Sequence, residues 1–253
     1  MTQIPILVAH RGYPLRFPEN TLEGITAALE AGACIVEFDV QLSADGVPVV
    51  IHDQDLKRTA GVDLCVLDTG ITGLKRVSVG EPARFGDTFP DVRIPTLDVV
   101  IALLQLWPNA EAFVEIKRTS LRRFGRPAVL KQILNVLRPL PDRCILISFD
   151  SEVLVMVKNS GEFRTGWVVE AFNDQNYELA ARLTPDFLFC KTGLIPVPPH
   201  SLWPGQWKWV VYEINDPQLA LDLAKRGIKF IETGAIGEML QHPVLKQKAC
   251  HRD

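Results

Sequence analysis

The sequence predicts an α/β protein of the (β/α)₈ TIM-barrel class, with a small insertion after the hairpin that follows the second strand. Short apolar strand segments alternate with helical segments along most of the 253 residues, a pattern typical of a parallel sheet with helical crossovers. Eight strand units can be counted, the number that closes such a barrel. Polar residues follow several strands, as expected for the face that carries active sites in barrels. We therefore expect residues 1–253 to form one barrel domain.

The strands are predicted from runs of apolar, β-branched and aromatic residues. The eight barrel strands are placed at 6–9, 35–40, 112–117, 144–148, 165–169, 187–190, 208–212 and 228–232. An extra strand, 47–51, follows the turn signal Asp45-Gly46 and forms a hairpin with the second barrel strand.

The helices are predicted from apolar residues at helical spacing and from capping residues. The first is capped by Asn20 or Thr21 and runs to Ala31, and another begins at Thr96 and runs to Leu106. Four more are placed near 127–137, 151–159, 174–182 and 217–226. The segment 54–93 is rich in Gly, Asp and Thr with weak periodicity, so it is interpreted as a small insertion or lid and not as a separate domain.

The composition is that of a globular protein, with 47% hydrophobic and 23% charged residues. A net charge of -3 argues against a nucleic-acid-binding surface spread over the protein. The N-terminus lacks the pattern of a secretory signal, and no stretch of about 18 apolar residues predicts a membrane span. A cytoplasmic protein with a small-molecule substrate is therefore expected, with its oligomeric state left open. The sequence contains no GxGxxG, P-loop, GxSxG, HExxH or CxxC pattern.

Three acidic residues lie in otherwise apolar strands. Glu37 and Asp39 are two residues apart and therefore project from the same strand face, and Glu115 lies in the next predicted barrel strand. Burying unpaired carboxylates is costly, so such groups hold a cation or pair with another charge. Oxygen ligands without cysteine favour Mg²⁺ or Ca²⁺ over zinc. The alternative is that Arg and Lys side chains satisfy these acids.

Two histidines each end a predicted strand, which makes His10 and His52 candidates for a general acid and a general base. The alternative for each is a hydrogen-bonded structural histidine. Arg11 and Lys117 are expected to hold a phosphate group, the first by its planar fork and the second as a point charge. A salt bridge to the acidic residues is the alternative for Lys117.

The segment 117–126 carries five basic residues and follows a barrel strand. Such runs are usually a solvated face. The alternative is that Arg122 or Arg123 reaches an anionic tail of the substrate.

Several short motifs together resemble one known family. In chain order they are Ala9-His10-Arg11-Gly12, Pro18-Glu19-Asn20-Thr21, Glu37-Phe38-Asp39-Val40, Asp45-Gly46, Val50-Ile51-His52-Asp53, Arg58-Thr59, Ile94-Pro95-Thr96-Leu97, Glu115-Ile116-Lys117 and Ser148-Phe149-Asp150. Their order and spacing are similar to those of the glycerophosphodiester phosphodiesterase family. The resemblance covers nearly the whole chain.

The resemblance implies a barrel enzyme that uses a divalent metal to hydrolyse glycerophosphodiesters to glycerol 3-phosphate and an alcohol. By the family pattern, His10 and His52 are the catalytic acid–base pair. The metal ligands are Glu37, Asp39 and Glu115, and the substrate contacts are Arg11, Lys117, Phe149 and Tyr212. The implied mechanism has the metal and one histidine activate the glycerol 2-hydroxyl, which attacks phosphorus. The other histidine protonates the leaving alcohol, and water then opens the cyclic phosphate. The insertion 54–93 resembles the family's small insertion, which would cover the site.

The chain departs from the family pattern near its C-terminal end. Tyr212-Glu213-Ile214-Asn215 stands where the family has Trp-Thr-Val-Asn, and Thr233-Gly234 stands where it has Thr-Asp. Glu232 lies just before the second departure. Two further hypotheses therefore stay open, a phospholipase D-like enzyme that acts on lysolipids and a non-catalytic barrel that binds glycerophosphodiesters.

Overall fold

Eight parallel strands close into a barrel that helices surround, in a computed structural model that describes residues 4–196 and 201–246. This confirms the predicted (β/α)₈ class. The strands are β1 (Ile6–Ala9), β2 (Ile35–Leu42), β3 (Pro48–Val50), β4 (Glu111–Ile116), β5 (Cys144–Ser148), β6 (Arg164–Val169), β7 (Phe187–Lys191), β8 (Lys208–Tyr212) and β9 (Phe230–Thr233). The barrel runs β1-β2-β4-β5-β6-β7-β8-β9 and back to β1, and β3 pairs with β2 antiparallel outside this ring.

The helices are α1 (Leu22–Glu30), α2 (Lys57–Ala60), α3 (Ile71–Leu74), α4 (Pro82–Phe85), α5 (Leu97–Gln105), α6 (Arg118–Phe124), α7 (Arg126–Leu137), α8 (Ser151–Ser160), α9 (Asp174–Leu183), α10 (Pro217–Lys225) and α11 (Ile236–Gln241). Each helix predicted from the sequence is present. The structure adds α2, α3 and α4 within the segment 54–93, α6 within the basic run and α11 after the last strand. Among the described residues, no helix is long and apolar enough to cross a membrane.

The barrel interior changes character along its axis. Its lower part is filled by aromatic side chains, with the Phe113 ring in edge contact with Phe187, Phe189 and Phe230 at centroid distances of 5.0–6.5 Å. This arrangement of ring edges against ring faces is favourable in cores. Nearer the carboxyl ends of the strands, the inward residues of β9, β1, β2 and β4 are polar, whereas those of β5 to β8 are mainly apolar.

Strand register brings the polar residues of that mouth together. Asp39 of β2 lies directly opposite Glu115 of β4. Glu37 precedes Asp39 by two residues and faces the same side. Strands β9 and β1 pair to close the barrel, and Glu232 of β9 lies opposite Val8 of β1. Val8 precedes His10 by two residues.

The connection from β1 to α1 depends on a glycine. Gly12 has φ +86°, and a Cβ atom built on it would lie 2.7–2.8 Å from backbone atoms of Gly24 and Ile25. A larger residue would therefore suffer both backbone strain and a clash. The preceding residue, Arg11, also has a positive φ of 54°. This tight turn places His10 and Arg11 at the mouth beside β2.

The segment 54–93 contains α2, α3 and α4 and packs around a small apolar cluster of its own. Side chains from β3 and from the strand-flanking residues complete this cluster, whose members are Val49, Ile51, Leu56, Val66, Leu74, Val79, Val92 and Ile94. Glu81 in the segment accepts a hydrogen bond from the Glu19 backbone N–H at 2.7 Å. The segment is thereby anchored to the loop that follows β1, while its role as a lid stays a prediction.

Candidate active site

Three carboxyl groups converge at the mouth of the barrel, and we call Glu37, Asp39 and Glu115 the acidic trio. One oxygen from each lies within 4.8 Å of the others. The three residues are only 2%, 1% and 9% exposed. One ion with metal–oxygen distances of about 2.0–2.6 Å can bridge oxygens at this separation, and carboxylate oxygens are the ligands that Mg²⁺ and Ca²⁺ prefer. The acidic trio therefore fits a hard divalent cation.

Two permanently charged cationic side chains of the site, Lys117 and Arg11, lie beside Asp39. Lys117 Nζ lies 3.1 Å from Asp39 Oδ1, and Arg11 Nε lies 3.3 Å from Oδ2. Burial alone would raise the pKa of Asp39, but Lys117 and Arg11 hold it well below the usual range. Lys117 Nζ also lies 2.8 Å from Glu115. The salt bridge left open for Lys117 is thus present, and it does not exclude a phosphate contact.

Glu37 and Glu232 have less positive charge nearby to balance a buried carboxylate. Burial raises the pKa of Glu37 well above its usual value, and Asp39 and Glu232 raise it further. Burial and the charges of Glu115 and Asp39 likewise raise the pKa of Glu232. Among the described residues, four buried carboxyl groups (Glu37, Asp39, Glu115 and Glu232) therefore face the permanent cations Arg11 and Lys117. This excess of negative charge is what a bound divalent cation would balance.

His10 lies between two carboxyl groups at the mouth. Its Nε2 is 3.8 Å from Glu37 and its Nδ1 is 3.7 Å from Glu213. Burial, with Arg11 as the next cause, lowers the pKa of His10 to about 3. The ring is therefore neutral near pH 7 and can accept a proton.

His52 has a different environment. Its Nδ1 lies 2.6 Å from Asp53 Oδ1, and Arg58 Nε donates to the other Asp53 oxygen at 2.8 Å. The hydrogen bond with His52 and the nearby Arg58 hold the pKa of Asp53 below its usual value. An ionised carboxylate in this position orients an imidazole ring. The ring is a third exposed and faces the mouth.

Sequence reasoning missed the ion-pair network behind these histidines. Glu19 binds Arg11 Nη1 at 3.0 Å and both terminal nitrogens of Arg58 at 2.7–2.8 Å. Asn20 donates to Asp39 at 2.8 Å and accepts from the Asp39 backbone N–H at 3.1 Å. All of these residues stand in the recognised motifs. Their pairing was not predictable because it joins loops that follow different strands.

The predicted site residues surround one central cavity of about 120 Å³. All of them except Asp39 line it, and Asp39 binds the lining residue Lys117. Polar groups form one wall, whereas the opposite wall is largely apolar. That apolar wall consists of Ile147, Phe149, Val168, Phe189 and Tyr212. The cavity therefore suits a small molecule with an anionic end and a short carbon skeleton.

The basic run 117–126 is mostly paired. Arg118 binds Glu170 through two hydrogen bonds of 2.7 Å, Arg123 binds Asp68 at 3.3 Å, and Arg126 binds Asp150 at 2.8 Å. Arg122 makes no salt bridge of 4.0 Å or less within residues 4–196 and 201–246. After the hydrogen bond from Arg118, however, the charge of Arg122 also contributes to lowering the pKa of Glu170. It is exposed and lines an outer cavity of about 370 Å³. The same outer cavity is lined by His52, Glu115, Lys117 and Phe149, so it adjoins the central one.

The two departures from the family pattern lie side by side. Asn215 Oδ1 accepts hydrogen bonds from Thr233 Oγ1 at 2.9 Å and from the Gly234 backbone N–H at 3.0 Å. Tyr212 lines the central cavity beside Glu213 and Glu232. The structure thus ties the ends of β8 and β9 together and places Glu232 inside the site.

Replacing Glu19 by glutamine is expected to lower the free energy of unfolding by about 2 kcal/mol near pH 7, because two arginines lose their buried partner. Burial alone would raise the pKa of Glu19, but Arg58 and Arg11 lower it below 4.5. A lowered carboxyl pKa stabilises the folded state above the unfolded pKa and loses this effect as the pH falls. Urea unfolding at about pH 7 and about pH 3 should therefore show the deficit shrinking in acid.

The control for this measurement is Glu23→Gln, at an exposed position of α1. Because Glu23 lies in the first turn of α1, this variant should lose no more than about 0.3–1 kcal/mol near pH 7 and match the wild type in acid. A Glu19→Gln deficit that is equal at both pH values would contradict the assigned ion pairs.

The fold and the site define a class: a TIM barrel whose carboxyl-end mouth combines an acidic trio, two histidines and two cationic side chains, Arg11 and Lys117. The family comparison is specific within this class. The sequence profile of the glycerophosphoryl diester phosphodiesterase family matches residues 10–195, and the chain belongs to that family. This confirms the resemblance carried by the sequence motifs.

Named relatives agree with this family. The glycerophosphodiester phosphodiesterase of Caldanaerobacter subterraneus is 40% identical over 99 residues, which are 39% of this chain and 40% of that protein. Mouse glycerophosphodiester phosphodiesterase 1 is 31% identical over 155 residues, 61% of this chain and 46% of the relative. The match thus spans less than half the length of either relative.

A solved structure matches over nearly the whole chain. It is a phosphodiesterase from Oleispira antarctica in complex with the product sn-glycerol-3-phosphate. The TM-score is 0.81 with 27% sequence identity, and the match covers 93% of this chain and 95% of that one. A structure from Silicibacter pomeroyi, 20% identical with a TM-score of 0.79 over 97% of this chain and 94% of that one, is similar in fold.

Proposed function

We propose that this protein hydrolyses glycerophosphodiesters to glycerol 3-phosphate and an alcohol in a reaction that depends on a divalent cation. The observation that carries the proposal is the convergence of the acidic trio with His10 and His52 around one small cavity. Family membership supplies the substrate class, and the named relatives support it.

Binding of the phosphate group is assigned to Arg11 and Lys117, which border the cavity and hold positive charge beside the acidic trio. A cation held by Glu37, Asp39 and Glu115 would lower the pKa of a bound hydroxyl and offset the charge that develops on phosphorus. The three-carbon skeleton of the substrate would lie against Phe149 and Tyr212 on the apolar wall.

The two histidines divide the proton transfers. His10 is neutral near pH 7, so it accepts the proton of the glycerol 2-hydroxyl as that oxygen attacks phosphorus. His52, which Asp53 orients, donates a proton to the leaving alcohol. His52 also lines the outer cavity, through which that alcohol would depart. In the second step the roles reverse, because His52 then activates the water that opens the cyclic phosphate.

The test is release of glycerol 3-phosphate from glycerophosphocholine and glycerophosphoethanolamine with Mg²⁺, Ca²⁺ or EDTA present. Release that EDTA abolishes and either cation restores is the expected result. Folded protein that binds the cation but releases nothing from either compound would overturn the proposal and favour a binding role.

A lysolipid substrate is the second candidate, and long-chain lysophosphatidylcholine in the same assay distinguishes it. The central cavity is smaller than the about 300 Å³ at which pockets for larger ligands begin. An acyl chain would therefore have to lie outside it. We expect deacylated diesters to be hydrolysed faster than their acylated counterparts.

Arg122 is expected to favour substrates whose alcohol carries an extra negative charge, because its guanidinium has no described ion-pair partner at the outer cavity. An exposed ion pair contributes about 0.2–1 kcal/mol, which corresponds to roughly 1.4- to fivefold in kcat/KM. Arg122→Gln should lower kcat/KM for glycerophosphoserine by this factor relative to glycerophosphoethanolamine. Arg123→Gln is the matched control, and an equal change in both variants would contradict a specific role for Arg122.

A further inference from the structure

Glu232 is a buried carboxyl group that lines the central cavity, and its Oε1 has no hydrogen-bond partner in the part of the chain that the structure describes. The residue is 3% exposed and faces the barrel interior from β9. Its Oε1 makes no hydrogen bond to any described residue. An unsatisfied buried polar group costs about 1–3 kcal/mol, and more when it is charged. Such an atom calls for an explanation, and at a cavity wall a bound ligand is one that completes its hydrogen bonding.

Neither the fold nor the predicted metal site uses this oxygen. The group whose oxygens converge within 4.8 Å consists of Glu37, Asp39 and Glu115 and does not include Glu232. The cations of the mouth are also engaged elsewhere, because Lys117 binds Asp39 and Glu115. Glu232 does not complete the hydrogen bonding of its own strand end either, since Thr233 and Gly234 bind Asn215.

The position of Glu232 defines what it can contact. It lies between β8, which ends with Tyr212, and β1, which leads to His10. It therefore stands where the apolar wall meets the polar wall. A hydroxyl group is the matching ligand chemistry, because it both donates and accepts and so pairs with a carboxyl group in either protonation state.

A glycerophosphodiester brings two free hydroxyl groups to the cavity. The 2-hydroxyl is committed to the attack on phosphorus and to His10, so the 1-hydroxyl at the end of the carbon skeleton needs a separate partner. With the phosphate bound by Arg11 and Lys117 as proposed above, the carbon skeleton would extend along Tyr212 towards β9. The 1-hydroxyl would then lie beside Glu232, which lines the same cavity.

We propose that Glu232 binds the free 1-hydroxyl of the glycerol moiety and thereby selects deacylated phosphodiesters over lysolipids, in which that hydroxyl is esterified. The inference rests on the proposed function and names a specificity-determining residue for it. An acylated substrate offers no 1-hydroxyl and leaves the buried oxygen unpaired. A site built to bind a hydroxyl rejects analogues that lack it for this reason.

The test compares glycerophosphocholine with its 1-deoxy analogue, in which hydrogen replaces the 1-hydroxyl, and with 1-acyl lysophosphatidylcholine. The wild type should prefer glycerophosphocholine to the deoxy analogue by about 5- to 150-fold in kcat/KM, the cost of leaving a buried polar group unpaired. Glu232→Leu should bring this ratio close to one by slowing only the parent compound. Glu232→Gln, which keeps both an acceptor and a donor, should retain part of the preference.

Calorimetric binding of glycerol 3-phosphate and of its 1-deoxy analogue, with Mg²⁺ present, gives a second readout that needs no turnover. Glu232→Leu should weaken binding of the first compound and not of the second. Thermal unfolding checks the fold, and the leucine variant should be at least as stable as the wild type because a buried unpaired carboxyl is removed.

The outcomes separate the two proposals. In one outcome, Glu232→Leu keeps the wild-type ratio of kcat/KM for glycerophosphocholine over its 1-deoxy analogue and the wild-type affinity for glycerol 3-phosphate. That result would overturn the role of Glu232 and leave the proposed hydrolysis intact. Binding of glycerol 3-phosphate with the expected Glu232 dependence, but without hydrolysis of any substrate, would overturn the hydrolysis alone. A wild type that neither binds glycerol 3-phosphate nor hydrolyses these compounds would overturn both.

Discussion

Replacing Glu37 by glutamine is expected to weaken divalent-cation binding by about 100-fold or more and to lower kcat/KM by a factor of about 1,000. Changes in the surroundings of metal ligands already cost about 10–100-fold in affinity, and Glu37 is itself a predicted ligand. Glutamine keeps the size of the side chain and can accept the Arg11 backbone N–H that Glu37 binds at 3.0 Å. The substitution therefore removes charge with little change in packing.

Calorimetric titration of the metal-free protein with Mg²⁺ and Ca²⁺ measures the affinity, and glycerophosphocholine hydrolysis measures the activity. Glu37→Gln should have neither the activity nor the cation affinity of the wild type at ordinary cation concentrations. High cation concentrations should recover part of the activity. The control Glu23→Gln removes the same charge from an exposed position of α1 and should behave as the wild type.

Two results would contradict the assignment of the acidic trio. The first is an unchanged cation affinity in Glu37→Gln together with wild-type activity. The second is an active protein whose turnover does not respond to EDTA. The unfolding temperature of Glu37→Gln shows whether the variant is folded. We expect it to be modestly higher than that of the wild type, because burial raises the pKa of the Glu37 carboxyl and its desolvation is costly.

The fold was predictable because each barrel strand carries its own local signal. β-Branched and aromatic runs such as Ile35–Val40 alternate with helices that have clear caps, and Thr21 and Asp150 do cap α1 and α8. Helix α6 was missed because its arginines hide the periodicity, with Ser120 and Leu121 as its buried residues. Its backbone begins directly after Lys117, so the basic run is a helix face at the mouth.

The grouping of candidate site residues was predictable within one strand. It was less predictable between strands, where it depends on the pairing register of the barrel. Glu37 and Asp39 share a face by sequence alone, but their approach to Glu115 requires the β2–β4 pairing that sets Asp39 opposite Glu115. Glu232 carried no signal of its own, because a single acid in a strand has no sequence pattern that shows which way it faces. Only closure of the barrel between β9 and β1 places it in the cavity.

The histidine assignments predict that the two histidine variants respond differently to a change of leaving group. Glycerophosphocholine releases an alcohol that must be protonated, whereas the 4-nitrophenyl ester of glycerol phosphate releases a stable phenolate. His52→Gln should therefore lower kcat/KM by about 1,000-fold for the choline ester and by about tenfold or less for the nitrophenyl ester. His10→Gln should lower it by about 100- to 10,000-fold for both, because each substrate needs its 2-hydroxyl deprotonated.

This comparison also tests the physical reason for the assignment. Burial and Arg11 lower the pKa of His10 to about 3, so its ring is neutral near pH 7. Asp53, held by Arg58, orients the His52 ring. Asp53→Asn should consequently follow the pattern of His52→Gln, with a smaller loss on the choline ester. If His10→Gln were the variant rescued by the nitrophenyl ester, the two roles would be exchanged. If neither variant discriminated between the esters, protonation of the leaving group would not limit the reaction, and His52 would act mainly by positioning the substrate.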